Sequence, residues 1–216
     1  MKLKHLQAAL LLATFAFAAS PAHAVFSFDL VAGNSAISGY AGPYATVDVN
    51  LINSTTANVT FTSLTNSGNI YLMGGAGSVA VNVNAASWTL SGITGSNAGT
   101  GFTPGTYSDG GAGNEDGFGS FNQRIDSFDG FTHSSDTISF SLTNTSGTWA
   151  SDVAVLASNS GGSLAAAHIF VTTYPANASN TALATGFAAS VPEADTYAML
   201  LAGLGLVGFA ARRKLA

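Results

Sequence analysis

The residues best suited to chemistry are oxygen-bearing side chains in a glycine-rich stretch near the middle of the chain. Asp109, Asn114, Glu115 and Asp116 lie close together there. Carboxylate and amide oxygens are the ligands that Ca²⁺ prefers, and a glycine-rich backbone can bend around a cation. These four residues are therefore a candidate calcium site, and the sequence predicts no other cofactor.

The local sequence offers one resemblance for that site. Residues 110–115 read GGAGNE and resemble a single glycine-aspartate repeat of the calcium-binding β-roll proteins. Glu115 stands where that repeat has Asp, and the motif occurs once rather than in tandem. The resemblance implies calcium ligation by this segment.

Aromatic residues in the same stretch give two further interpretations. Tyr107, Phe118 and Phe121, with nearby Asn and Asp residues, could stack on and hydrogen-bond a sugar, which would make the segment a glycan site. The interpretation that we favour is structural, because a glycine-rich connection needs apolar anchors on the domain beneath it. The predicted anchors are Phe102, Tyr107, Phe118 and Phe121.

The histidines do not form a recognisable catalytic arrangement. His133 is followed directly by Ser134, Ser135 and Asp136. Adjacent residues cannot normally converge as a Ser-His-Asp triad, and no Gly-x-Ser-x-Gly elbow flanks a serine. His168 lies in an apolar run and is predicted to be a buried or edge-strand residue.

One pair of acids leaves a hydrolytic alternative open. Asp126 and Asp129 are two carboxylates at short spacing, and glycoside hydrolysis uses such a pair. The surrounding sequence shows no aromatic cleft, and it contains neither a P-loop nor a dinucleotide fingerprint. We therefore expect a protein that is not an enzyme, with a polysaccharide-acting hydrolase as a third option.

The charge pattern excludes several partners. Residues 25–190 contain nine acidic residues, and their only Lys or Arg is Arg124. Nucleic-acid binding requires Lys and Arg to neutralise phosphates, so no nucleic-acid partner is expected. The 216-residue chain has no cysteine, which excludes thiol catalysis and thiolate metal sites. Its solubility must come from Ser, Thr, Asn and Gly.

The body of the chain alternates apolar and polar residues with the period of a β-strand. In residues 44–52, Ala45, Val47, Val49 and Leu51 share one face, and residues 58–64 continue as a hairpin partner. About ten such runs predict an all-β, antiparallel β-sandwich, for which a jelly roll is one compatible topology. The predicted strands are residues 25–31, 44–52, 58–64, 69–73, 78–84, 87–93, 136–144, 152–157, 166–172 and 181–189.

The alternation fails between residues 94 and 127. This stretch is dense in glycine and contains Pro104-Gly105, a turn signal. We therefore predict a long glycine-rich loop over residues 94–127. Loops of that length within a compact domain are usually functional or disordered.

The first 24 residues have the pattern of a cleavable signal peptide. Lys2 and Lys4 precede an apolar stretch, and Ala22-His23-Ala24 ends it. A charged start, an apolar helix and an Ala-x-Ala triplet predict export and cleavage after Ala24.

Residues 191–216 carry a second targeting signal. Val191, Pro192 and Glu193 precede an uncharged run of 15 residues, 197–211, which is followed by Arg212, Arg213 and Lys214. As a helix the run would span about 22 Å, whereas a bilayer span usually needs about 20 apolar residues. It is therefore a short membrane anchor with its basic end on the cytoplasmic side.

The order of these features resembles the PEP-CTERM sorting signal of exported Gram-negative proteins. Ala194 replaces the second proline of the family's Pro-Glu-Pro motif. The resemblance implies transient anchoring in the membrane, removal of the tail by an exosortase-type protease, and a final place in the cell envelope, on the outer surface or outside the cell. It also implies company with exopolysaccharide and biofilm material.

The body resembles a group within that family. The aromatic, acidic and Ser/Thr character that begins at Phe128-Asp129-Gly130-Phe131 loosely resembles the body of PEP-CTERM proteins with a Phe-x-Asp-type motif, and this resemblance supplies no activity. We predict that Phe128 and Phe131 pack into the core. The expected domains are residues 1–24, 25–190 and 191–216. The expected function is structural or adhesive in a matrix of exopolysaccharide, with a carbohydrate-binding module, calcium-assisted or not, as the alternative.

Overall fold

The computed structural model describes residues 25–128, 130–191 and Leu204. These residues form an all-β fold with thirteen strands and three short 3₁₀ helices, Ser35–Ile37, Phe131–His133 and Asp152–Ala154. The strands are β1 (Phe26–Leu30), β2 (Ala32–Gly33), β3 (Ala45–Asn53), β4 (Thr56–Ser63), β5 (Thr65–Asn66), β6 (Asn69–Met73), β7 (Val79–Val81), β8 (Trp88–Ser96), β9 (Tyr107–Glu115), β10 (Gly119–Ser127), β11 (Thr137–Asn144), β12 (Ala165–Thr173) and β13 (Ala184–Ala189).

The strands form two antiparallel sheets, and the β-sandwich prediction is confirmed. Sheet A has the order β1-β3-β4-β11-β8. Sheet B has the order β2-β13-β12-β7-β10-β9, and β6 pairs with both β12 and β5. Apart from Leu204, the two predicted terminal helices lie outside the described residues.

The core lies between the sheets and follows from the alternation. Val47, Val49 and Phe61 from sheet A are fully buried in the same cluster as Val79 and Ile169 from sheet B. On β11, Ile138, Phe140 and Leu142 point inward as predicted. Their polar neighbours in sequence face outward, because successive side chains of a strand point to opposite faces.

The predicted loop over residues 94–127 is wrong for most of its length. β8 extends to Ser96, and β9 and β10 pair as an antiparallel hairpin. Within this stretch, residues 97–106 and the turn at residues 116–118 lie outside the strands. The alternation of buried Phe121, Gln123 and Ile125 on β10 is a strand signal that the high glycine content obscured.

The predicted strand over residues 152–157 is also wrong. Asp152–Ala154 is a 3₁₀ helix instead. Its first residue, Asp152, is buried and accepts a hydrogen bond from the backbone N–H of Leu51. This long-range bond holds the start of the 3₁₀ helix against β3, so the segment turns across that strand instead of extending as a strand of its own.

The aromatic anchors pack as predicted, with one exception at the Phe-x-Asp motif. Phe131 lies between Phe102 and Phe170, with ring centroids 5.2 and 6.3 Å away. Phe128 is 58% exposed and contacts the ring of His133 instead of the core. The prediction that Phe128 is a core residue is therefore wrong.

Candidate functional site

The four predicted calcium ligands do not converge in the structure. Asp109 and Glu115 lie near the two ends of β9, and six residue steps along a strand span about 20 Å. Asn114 is exposed, whereas Glu115 beside it is buried. Among the described residues, no group of three or more His, Asp or Glu side chains is placed to hold a metal ion.

Two of these residues have local partners within the protein. Asp109 accepts hydrogen bonds from the N–H of Gly111 and from Nε2 of Gln123, both at 2.8 Å. Asp116 accepts a hydrogen bond at 3.0 Å from Nδ2 of Asn34. Asn34 follows β2, the strand at the opposite edge of sheet B from β9. The turn between β9 and β10 therefore reaches across the outer face of that sheet.

Small residues make this close approach feasible. Ala80, Ala166 and Ala189 form a shallow patch on the outer face of sheet B, and Phe121 and Phe118 pack on it. Because alanine side chains are short, the hairpin can lie near the sheet. The aromatic rings that could have served a glycan site are used as packing anchors.

The third predicted ligand, Glu115, belongs to an ionic cluster that the sequence reasoning missed. The cluster consists of Glu115, Arg124 and Asp126. Nε of Arg124 lies 3.8 Å from Oε1 of Glu115, and Nη2 lies 3.4 Å from Oδ1 of Asp126. Glu115 is only 1% exposed. Burial raises its pKa to about 8, with a smaller rise from Asp126, while Arg124 lowers it.

The geometry explains why burial outweighs the nearby arginine. A distance of 3.8 Å between nitrogen and oxygen is longer than a good charge-assisted hydrogen bond. Among the described residues, neither Oε1 of Glu115 nor Nε of Arg124 has a hydrogen-bond partner. The carboxyl group therefore gains too little from Arg124 to offset the loss of water.

Glycines provide the space for the ionic cluster. A Cβ on Gly77, whose φ is +65°, would lie 2.5 Å from the carboxylate oxygens of Glu115. A Cβ on Gly110 would lie 2.8 Å from the carboxylate of Asp126, and one on Gly113 would collide with Arg124. Asp126 also accepts a hydrogen bond at 2.7 Å from the N–H of Gly77. The cluster thus joins the hairpin to the loop before β7.

The catalytic alternatives gain no assembled site among the described residues. Asp126 is held by Gly77 and Arg124, and Asp129 lies outside the described residues. Nδ1 of His133 lies 2.8 Å from the carbonyl oxygen of Thr103. The hydroxyl of buried Ser135 bonds to Tyr107 at 2.5 Å instead of to that histidine.

His168 also has a structural environment. It lies in β12, inside sheet B, with its ring centroid 4.6 Å from that of Phe187. Its Nε2 lies 2.8 Å from Oγ1 of Thr185. The prediction of a buried or edge-strand histidine is wrong in both parts, because His168 is half-buried and β12 is an inner strand of sheet B.

The outer face of sheet A carries a second arrangement that sequence reasoning did not identify as a site. Its solvent-facing side chains are almost all Ser, Thr or Asn, and register aligns them in rows across the strands. We call this surface the hydroxyl face. On β4, β11 and β8 its residues are Thr56, Asn58, Thr60, Thr62, Thr137, Ser139, Ser141, Thr143, Thr89, Ser91, Thr94 and Ser96.

A groove crosses the middle of the hydroxyl face. It has a volume of about 290 Å³ and is lined by Asn58, Thr60, Gly92, Thr94, Ser139, Phe140 and Ser141. The two rows beside it are Thr60–Ser139–Thr94 and Asn58–Ser141–Ser91. The polar positions of each strand were visible in the alternation, but their alignment depends on the pairing register.

The junction with the C-terminal segment is well fixed on its N-terminal side. Ser190 is buried, its Oγ accepts a hydrogen bond at 2.9 Å from the N–H of Leu164, and its carbonyl accepts one at 2.8 Å from Ser163. Val191 is 50% exposed. Ala22, Ala24, Pro192, Glu193, Arg212, Arg213 and Lys214 lie outside the described residues.

The described strands form a β-sandwich domain, and the C-terminal sorting segment follows its last strand directly. A family model described as the PEP-CTERM protein-sorting motif matches residues 190–214. The C-terminal end of the chain therefore carries a PEP-CTERM sorting motif, and the motif implies export, C-terminal membrane anchoring before processing, and processing by an exosortase-type membrane enzyme.

The comparisons assign no family to the sandwich, residues 25–189. No curated protein and no solved structure matches the chain. The family match begins at residue 190, directly after the last strand of the sandwich, and does not extend into the sandwich. The resemblance carried by residues 128–131 therefore stays a prediction. Within the part of the chain that the structure describes, no helix is long and apolar enough to cross a membrane.

Proposed function

We propose that the sandwich is a non-enzymatic, structural or adhesive protein of the cell envelope or extracellular matrix, held in a layer of exopolysaccharide after the sorting segment has been removed. The sorting motif supports the route of export. The proposal about the destination comes from the surface of the domain.

The observation that carries the proposal is that the sandwich offers hydrogen-bonding groups without a free cation. Arg124 is the only Lys or Arg in residues 25–190. Its side chain is 21% exposed and is paired with Glu115 and Asp126. Ser, Thr and Asn cover the hydroxyl face instead. Such a surface can bond to hydrated sugar polymers, while its negative charge disfavours nucleic acid and anionic membrane surfaces.

Fractionation of producing cells tests this function. The full-length chain is expressed in a Gram-negative host that contains an exosortase and secretes polysaccharide, and its amount is measured in the membrane, soluble and extracellular-polymer fractions. We expect the tail-free form in the polymer fraction. A matched variant, Pro192→Ala combined with Glu193→Ala, should remain membrane-bound with its tail.

Two outcomes would contradict the proposal. One is a tail-free sandwich that appears only in the cell-free soluble fraction. The other is a wild-type chain that keeps its tail in the same host. A strain that makes no polysaccharide is the second control, since a matrix protein should be released from it.

The hydroxyl-face groove favours a second candidate, a carbohydrate-binding module. This candidate differs from the first in requiring one defined surface that binds a glycan directly. Among the described residues, no carboxylate lines this groove, and the binding proposed for it does not involve a metal.

A further inference from the structure

We propose that the groove of the hydroxyl face binds a neutral, linear polysaccharide that lies across strands β4, β11 and β8. This inference rests on the proposed matrix function and names the surface and the ligand class that would serve it. Three observations support it: the pairing register of the strands, the hydrogen bonds within each row, and the charge of the face.

The register supplies a regular ladder of polar groups. Neighbouring strands lie about 4.8 Å apart, and alternate residues on one strand about 7 Å apart. Thr60, Ser139 and Thr94 therefore form one row, and Asn58, Ser141 and Ser91 form the next. The strand spacing is comparable to the length of a sugar ring along an extended chain, so a polymer that runs across the strands can meet each row repeatedly.

Hydrogen bonds within the rows hold these groups in place. The hydroxyls of Thr60 and Ser139 lie 2.9 Å apart, and Ser141 donates to Oδ1 of Asn58 at 2.7 Å. A hydroxyl has one donor and two acceptor positions, and an Asn amide has two of each. Each pair therefore keeps both donors and acceptors for a ligand. Groups ordered in advance lose less entropy on binding.

A break in the ladder opens the groove. The register of β8 against β11 shifts between Ser139 and Ser141. Gly92 lies at this irregularity with a φ of +62° and has no side chain to fill the space above Ser141. The bulge thus leaves room between the two rows where a flat ladder would have none.

The charge of the face selects the ligand class. The strands of sheet A contain no Lys or Arg, whereas Asp29 and Asp48 extend the ladder onto β1 and β3. An anionic polymer would be repelled by these carboxylates and would find no cation on the face. A neutral polymer needs only donors and acceptors, which the rows supply.

Affinity electrophoresis tests the proposal. The full-length chain, kept in mild detergent, is run through gels that contain either a soluble neutral β-glucan or alginate as the anionic probe. We expect retardation in β-glucan and none in alginate. The variant Thr60→Val/Ser139→Ala/Thr94→Val removes three hydroxyls from the groove and with them the hydrogen bonds that they would make to the polymer. Its affinity for β-glucan should fall at least about tenfold.

The control variant changes the same face outside the groove. Thr89→Val/Thr143→Val removes two paired hydroxyls from β8 and β11, which are two of the three strands changed in the triple variant. This control should keep the wild-type affinity. Far-ultraviolet circular dichroism and melting curves establish that both variants fold. Ser141→Ala alone should give a smaller but measurable loss, which keeps the test decisive if the triple variant unfolds.

Four outcomes would overturn the inference. They are equal retardation of wild type and triple variant in β-glucan, equal loss of affinity in the control, retardation in alginate as strong as in β-glucan, and no retardation in either gel. A dimer that the triple substitution breaks would instead assign the face to a second copy of the chain. The proposed matrix function survives each of these results if the tail-free protein still fractionates with extracellular polymer.

Discussion

At the scale of single residues, Glu115 is the most unusual group in the described structure. It is buried beside an arginine that lies too far away for a strong hydrogen bond. Burial raises its pKa from 4.5 to about 8. The folded protein therefore holds a proton that the unfolded chain releases at neutral pH.

The protonation of Glu115 predicts a pH dependence of stability. Because the folded pKa lies above the unfolded one, the stabilisation is complete below pH 4.5 and is lost as the pH rises towards 8. Glu115→Gln removes this titration, so its melting temperature should fall less than that of wild type across the same interval. Melting curves measured in steps over that interval check the slope.

A matched control isolates the effect of burial. Asp116→Asn changes the neighbouring carboxyl, which is exposed and bonded to Asn34. This variant should keep the wild-type slope. Equal slopes for wild type and Glu115→Gln would show that Glu115 does not take up a proton on folding.

Gly77 provides a second prediction at this scale. It has a φ of +65°, and an added Cβ would lie 2.5 Å from the carboxylate of Glu115. Gly77→Ala should lower the free energy of unfolding by about 2 kcal/mol or more, because backbone strain and a steric clash add. Chemical denaturation measures the loss.

Gly68 separates the two causes. Its φ is +79°, but a Cβ there would meet nothing within 4 Å. Gly68→Ala should therefore show the backbone cost alone, which is about 1 kcal/mol. If the two variants lose equal stability, the space beside Glu115 is not restricted and the ionic cluster is looser than the structure indicates.

At the scale of elements, the β9–β10 hairpin is the part that differs most from its sequence prediction. Its glycines resemble those of a mobile loop, yet they clear space for Arg124, Asp126 and Glu115. The hairpin is fastened to sheet B by Phe121 and Phe118, which pack on an alanine patch. The turn end of the hairpin therefore covers part of the outer face of sheet B, while β9 and β10 are themselves strands of that sheet.

The aromatic anchor of this cover can be tested by truncation. Phe121 is 1% exposed, so Phe121→Ala should cost about 3 kcal/mol of stability through lost burial and a new cavity. Phe128→Ala is the matched control, because Phe128 is 58% exposed and should cost less than about 1 kcal/mol. Urea denaturation of both variants gives the comparison. Similar losses would mean that the hairpin is not anchored at Phe121.

At the scale of the whole molecule, the two outer faces of the sandwich serve different purposes. The outer face of sheet B is partly covered by the turn end of the β9–β10 hairpin, and the ionic cluster lies beside it. The outer face of sheet A is open, uncharged over β4, β11 and β8, and rich in hydroxyl groups. This asymmetry is why the proposed ligand surface is on sheet A, and the electrophoresis experiment is its test.

The sequence alone was enough to predict the C-terminal sorting motif, which the family model matches, and most of the strands, while the N-terminal signal peptide stays a prediction. The period-2 alternation placed Ala45, Val47, Val49 and Leu51 inward and paired β3 with β4, because the burial of one face leaves a direct record in the order of residues. The sorting motif was readable because it is a linear signal. Neither feature depends on contacts that are distant in the chain.

Only the tertiary structure decided how the glycine-rich segment and the polar faces are used. The space that Gly77, Gly110 and Gly113 leave is meaningful only when the side chains that fill it are known. The rows of the hydroxyl face depend on register between β4, β11 and β8, which are far apart in sequence. Composition records which groups a protein has, whereas pairing between distant strands determines which of them meet.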